Sequence, residues 1–168
     1  MKTWRLKYPG RAKWPAGVWN EEPDKVYWMD LFTGYPCRII RSEHGSLCGY
    51  VGLDDAHPFY AVDYNAIDNI VPRHIDISPH GGLTFSGYIK DTDVGSIPAP
   101  EYKFNFLYKI PLWWFGFDCA HYYDFIPGFY TVLSNESENV YRDIPYLEAE
   151  LKKLAKAFYL IERHYSDS

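Results

Sequence analysis

The sequence predicts a single α+β domain, a mainly antiparallel sheet with one long C-terminal helix packed on a face. Three observations carry this. Between Lys25 and Leu53 three short runs rich in β-branched and aromatic residues, VYWMDLF, CRIIRS and SLCGYVGL, are separated by Thr33-Gly34 and His44-Gly45, as an antiparallel meander requires. The most apolar run in the chain, Leu112–Phe117 (LWWFGF), has the length of a buried strand. Beyond Asp143, residues Leu147, Leu151, Leu154, Phe158 and Ile161 alternate spacings of four and three, which places them on one face of a helix.

Taken in order, residues 1–24 hold Pro9, Gly10, Pro15, Gly17 and Pro23 without a sustained period, and read as an irregular aromatic and basic arm wrapping the 25–168 domain through its tryptophans. Gly49 and Gly52 inside the third strand point to a bulge or a close backbone approach. Then Asp63 can cap a short helix with Ile67 and Ile70 facing inward, and a strand is expected over 73–77. Pro79-His80-Gly81-Gly82 is a turn, and LTFSGYI after it is extended. In 90–110, Tyr102, Phe104, Phe106 and Tyr108 at spacings of two would line a strand face or a flap, and 128–140 is a polar loop. Asp143 caps the last helix and Pro145 sits in its first turn, where proline is tolerated.

Composition bounds the function. A chain of 168 residues supports one domain with a hydrophobic core, and 16 Tyr, 10 Phe and 6 Trp suit cores, stacking walls and interfaces, a homodimer interface among them. Cys37, Cys48 and Cys119 are odd in number, widely spaced and form no CxxC, which argues against a disulfide scaffold or zinc finger and for a reducing, cytoplasmic setting. No apolar stretch is long enough to span a bilayer, and the basic N-terminus lacks the apolar segment of a secretory signal. Residues 1–13 carry Lys2, Arg5, Lys7, Arg11 and Lys13 with no acid, yet the formal total is −5, so an acidic body repels nucleic acid at long range. Nucleic acid is therefore not the expected partner; a small molecule is.

The chemistry concentrates at the end of the 112–117 strand, where Asp118, Cys119, His121 and Asp124 fall within seven residues. Were the chain helical after Phe117, Asp118, His121 and Asp124 would form one polar stripe with His121 in the middle. An imidazole flanked by carboxylates suits a general base or a metal ligand; the alternative is a helix cap with His121 simply hydrogen-bonded. The segment HGGLTFSG offers Gly81, Gly82, Thr84 and Ser86 as a concavity for an anion, or is only a turn. If His80 approaches His121, the two imidazoles with Asp118 or Asp124 make a zinc or manganese ligand set. His57, between Asp54-Asp55 and Pro58, is a further candidate ligand. Trp114 and Tyr122 offer stacking faces. Cys119 beside His121 could be a nucleophile, but buried free cysteine is the commoner fate.

The segments PDKVYWMDLFTGYPCRIIR, LCGYVG followed by HPFY, HGGLTFSG, WWFGFDCAH and YRDIPYLEAELKKLA together resemble a family of small phage and bacterial proteins with no established activity. The resemblance spans about 23–158 and implies a phage or phage-derived source, with His57, His80, Asp118, His121 and Asp124 on the family's motif positions. A shared pocket, formed where loops 54–58, 79–87 and 118–124 converge at one end of the sheet, is the resulting expectation.

The leading functional expectation is a hydrolase, with or without a metal, acting on a small phosphorylated or nucleotide-like molecule. In it His80, His121, Asp118 and Asp124 hold a metal or activate water while the glycine turn and Ser86 position the anion. Its rivals are a protein that sequesters a small nucleotide without chemistry, and a structural or inhibitory protein that binds a host partner through an aromatic surface.

Overall fold

In the computed structural model, which describes residues 1–89, 111–129 and 138–167, the chain forms the expected α+β domain. The aromatic series of 90–110 and most of the polar loop before Val140 lie outside the described residues. One six-stranded sheet, antiparallel at every pairing, is built from β1 (Lys2–Trp4), β2 (Lys25–Met29), β3 (Pro36–Arg41), β4 (Leu47–Leu53), β5 (Phe85–Gly87) and β6 (Trp113–Asp118). Their order across the sheet is β1-β2-β3-β4-β6-β5, so the expected meander forms as the contiguous strands β2-β3-β4 and the apolar 113–118 strand is internal, between β4 and β5. The helix α1 (Ile144–Ser166) covers one face.

Register explains the packing. Side chains alternate between faces along each strand, and Leu47, Val51, Phe115 and Phe117 meet the buried stripe Leu147, Leu151, Leu154, Phe158 and Ile161 of α1. Gly49 makes the close approach possible, since a Cβ there would lie 2.9 Å from the Phe117 ring and 3.2 Å from Leu151. The glycines of the third strand thus mark a close approach and not a bulge. On the opposite face the guanidinium of Arg38 lies over the rings of Trp114 and Tyr50, at 4.8 and 5.2 Å from their centroids.

Several local expectations change. Residues 2–4 of the arm form the edge strand β1, because pairing with β2 satisfies backbone groups that an irregular arm would leave to water. The rest is held by charge and by a ring. Arg11 binds Asp24 at 2.7 Å, and the buried Trp19 stacks on Phe125 and meets Tyr141 edge-on. No strand forms at 73–77, where the Ile75 amide instead closes a turn onto the Pro72 carbonyl and Ile75 itself packs into the core. Asp63 does cap a short 3-10 helix, Tyr64–Asn69, with Ile67 buried, but Ile70 is exposed.

Candidate metal centre

The site assembles at the end of the sheet where Asp118 pairs with Cys48. After Asp118 the chain does not become helical. It bends, and the Asp124 amide donates to the His121 carbonyl while the His121 amide donates to Asp124 Oδ2. The predicted helical stripe is therefore replaced by a tight turn whose own carboxylate accepts from its backbone. Asp124 then pairs with Val140 in an isolated bridge, which brings Arg142, two residues on, against the same carboxylate.

His80 arrives from the loop before β5. The Gly82 amide donates to the Pro79 carbonyl, and Gly81 at the third position of this turn has φ +68°, the left-handed value that glycine adopts without strain. Helix α1 fixes the histidine twice. Glu150 accepts from the His80 amide at 3.0 Å, and the Tyr146 hydroxyl lies 3.0 Å from its Nδ1. Tyr146 and Glu150 are one helical turn apart and so stand on the same side of α1.

The result is a convergence of donors. His80 Nε2 is 2.8 Å from Asp124 Oδ2, and His121 Nδ1 is 3.4 Å from the same oxygen. One ligand atom from each of His80, His121 and Asp124 lies within 4.8 Å of the others, so the trio can coordinate a divalent metal. Asp124 is buried and both imidazoles are partly buried. His121 Nδ1 is enclosed yet makes no hydrogen bond among the described residues. The His121 ring packs directly on Gly81, where a Cβ would sit 2.1 Å from its Cε1.

Burial alone would raise the Asp124 pKa. Hydrogen bonds from His80, from the His121 amide and from Arg142 outweigh it and hold the carboxyl below its ordinary value. A carboxylate depressed in the folded state stabilises the fold above the unfolded pKa of about 4 and loses that contribution as pH falls through the lower folded value. Replacing Asp124 with Asn should therefore flatten the acid limb of a melting-temperature profile below about pH 4. Thermal unfolding at a series of pH values checks this, and an unchanged acid limb would refute it.

The other sequence candidates separate into neighbours and outliers. Asp118 stands at the rim, 4.0 Å from His121 Nδ1, with its Oδ1 accepting from the Ala120 amide. Gly82 belongs to the His80 turn and has open space around it. The Thr84 amide donates to the Gly116 carbonyl, and the Ser86 hydroxyl oxygen accepts from the Tyr64 amide. Trp114 is buried beneath Arg38 and presents no stacking face, whereas Tyr122 is exposed, edge-on to Tyr123.

His57 does not join. It follows Leu53, which pairs with Trp113 at the opposite end of β4 from Asp118, and its Nε2 contacts the Phe158 carbonyl. Phe158 lies twelve residues along α1 from Tyr146, about 18 Å of helix. Burial lowers the His57 pKa, and the Phe59 amide donates to its Nδ1, so it is a neutral core histidine. Loops 79–82 and 118–124 thus converge, and loop 54–58 does not. The cysteines are buried or nearly so, and burial pushes the Cys48 thiol up to about 11 and those of Cys37 and Cys119 higher still, against a cysteine nucleophile.

Sequence reasoning missed Arg142, Tyr146 and Glu150. Glu150 carried a signal, since it falls beside Leu147, Leu151 and Leu154 on the helix, where a buried carboxylate needs a donor. No helix among the described residues is long and apolar enough to cross a membrane. No protein-family model, curated protein or solved structure matches this chain.

Proposed function

We propose that His80, His121 and Asp124 hold a catalytic zinc or manganese ion and that the protein is a hydrolase of small phosphorylated or nucleotide-like molecules. The observation that supports this most is the His121 Nδ1 atom, enclosed without a hydrogen bond among the described residues and 3.4 Å from a carboxylate that already faces a second imidazole. Two nitrogens and one oxygen suit either metal. Three protein ligands leave a coordination position open, as catalytic sites do and closed structural sites do not.

Such an ion lowers the pKa of water and polarises a phosphoryl oxygen. The chain's own residues supply the rest. The Tyr146 hydroxyl lies at His80 Nδ1, as an outer partner does, and would orient the ring so that Nε2 faces the ion together with Asp124. Arg142 holds Asp124 Oδ1 at 3.0 Å and contributes positive charge where an anionic substrate would approach. Asp118, at the rim and 4.0 Å from His121 Nδ1, would accept a proton. The resemblance to small phage and bacterial proteins supports a phage-derived source and a cytoplasmic role in a bacterial host.

Metal content of protein purified without chelator is the test. One equivalent of zinc or manganese in the wild type, lost in both His121→Ala and Asp124→Asn, is expected. Because both imidazoles must be neutral to ligate, affinity should fall as pH is lowered. Metal-free wild type that also fails to bind either ion in calorimetric titration would overturn the proposal. A metallated protein with no turnover of phosphoesters would leave a binding protein, the sequestering reading, in its place.

A further inference from the structure

Arg142 stands where Asp124 and the start of α1 meet. Its Nε donates to Asp124 Oδ1 at 3.0 Å, while Oδ2 of the same carboxylate faces His80 Nε2 at 2.8 Å. The guanidinium also lies over the ring of Tyr146, 4.8 Å from its centroid, and the hydroxyl of that tyrosine is 3.0 Å from His80 Nδ1. Asp124 and Tyr146 therefore hold the guanidinium and the imidazole side by side. We propose that Arg142 sets the substrate specificity of the metal centre. Its two terminal nitrogens grip two oxygens of a terminal phosphate whose third oxygen faces the ion held by His80, His121 and Asp124, so the site takes phosphate monoesters and not diesters.

An arginine carries its N–H donors in a rigid planar fork. Asp124 takes the one on Nε, and Nη1 and Nη2 make no hydrogen bond among the described residues. The side chain is 24% exposed, so these nitrogens are within reach of a ligand from solvent. An arginine that served only to neutralise Asp124 would pair two nitrogens with the two carboxylate oxygens. Here Oδ2 is left to His80, and the end of the fork stays unspent. Paired N–H groups of this kind match two oxygens of a phosphate, and a guanidinium already fixed by Asp124 and Tyr146 loses little freedom on binding one.

The oxygen count gives the substrate class. A monoester presents three non-bridging oxygens, enough for two on the fork and one on the ion. A diester presents two and must give up one of these contacts. Charge agrees, because a divalent ion with Arg142 outweighs Asp118 and Asp124 and leaves a positive site for a dianion. The third contact rests on the metal reading, whereas the fork does not, since the chain itself supplies both contacts that fix it.

NMR chemical-shift titration with inorganic phosphate and with dimethyl phosphate, into zinc-loaded and into chelator-stripped protein, is the test. Zinc-loaded wild type should bind phosphate at least about 10-fold more tightly than dimethyl phosphate. Arg142→Lys keeps the charge and removes the fork. It should weaken phosphate by at least about 10-fold in both forms of the protein and narrow the preference over dimethyl phosphate. Arg142→Gln, which loses the charge as well, should weaken phosphate further. Melting temperature and zinc stoichiometry, measured on each variant, separate these losses from a loss of fold or of the ion. Unchanged phosphate affinity in Arg142→Lys overturns the proposal, as does a zinc-loaded wild type that binds dimethyl phosphate as tightly as phosphate. A wild type that takes up no zinc brings down the metal reading and the third contact with it. The stripped protein then decides the fork alone, which is upheld if Arg142→Lys loses phosphate and overturned if it does not.

Discussion

Replacing Gly81 with alanine should lower metal affinity by at least about 100-fold while the domain stays folded. The added Cβ would lie 2.1 Å from Cε1, 2.3 Å from Nε2 and 2.6 Å from Nδ1 of His121, well inside any tolerable contact. The imidazole must leave its place, and a metal held by the trio would keep only His80 and Asp124. Alanine at φ +68° adds backbone strain of about 1 kcal/mol, which a folded domain survives.

Gly82→Ala is the control. Its φ is +86°, so it carries a similar backbone cost, but nothing lies within 4 Å of the new methyl. It should keep the wild-type affinity for zinc or manganese. Calorimetric titration of the two variants separates a steric loss of one ligand from a general loosening of the turn. Equal affinities in both would remove Gly81 from the site.

Arg41→Ala should cost about 3–5 kcal/mol of stability, a large share of what a domain of this size has. The Arg41 side chain is completely buried. It donates to Asp24 at 2.8 Å, to Glu22 at 3.0 Å, to the Gly45 carbonyl at 3.1 Å and to the Tyr141 hydroxyl. Asp24 is itself fully buried and would keep only Arg11 and the Leu6 amide. Glu22, freed from Arg41, is also the group that accepts from the Ile144 amide at the start of α1. One substitution therefore loosens the arm, the β3 end and the first turn of the helix that positions Tyr146 and Glu150. Urea denaturation measures the loss. A change below about 1 kcal/mol would mean that water replaces the guanidinium.

The fold was legible because its signals are local. The β-branched and aromatic runs that became β2 to β4, the apolar run that became β6 and the four-three spacing of α1 each name an element without reference to the rest of the chain. Asp143 was readable as a cap for the same reason, and its carboxylate accepts from the Tyr146 amide. The arm was less legible. Its strand is three residues long, and its anchorage rests on Asp24, Glu22 and Arg41, whose pairing spans the sequence distance between the arm and β3.

Within the site, the sequence nominated His80, His121 and Asp124 because imidazoles and carboxylates are seldom placed beside buried strands and paired glycines without a partner. It also nominated His57 and Trp114 on grounds equally good, and these went elsewhere. The difference is register. The antiparallel pairing of β4 with β6 places residue 118 opposite 48 and residue 113 opposite 53. That sends the loop after β6 to one end of the sheet and the loop after β4 to the other, so His57 was excluded by strand direction, which composition does not encode.

The sequence by itself determined the layers of this protein, a sheet and a covering helix, because burying apolar faces depends on periodicities that neighbouring residues carry. Tertiary structure alone decided which polar groups meet. His80 joins His121 and Asp124, and Arg142, Tyr146 and Glu150 hold them, because a hydrogen bond or a metal ligand is set by a distance of a few ångströms between residues far apart in the chain, and only strand order, register and helix placement fix that distance.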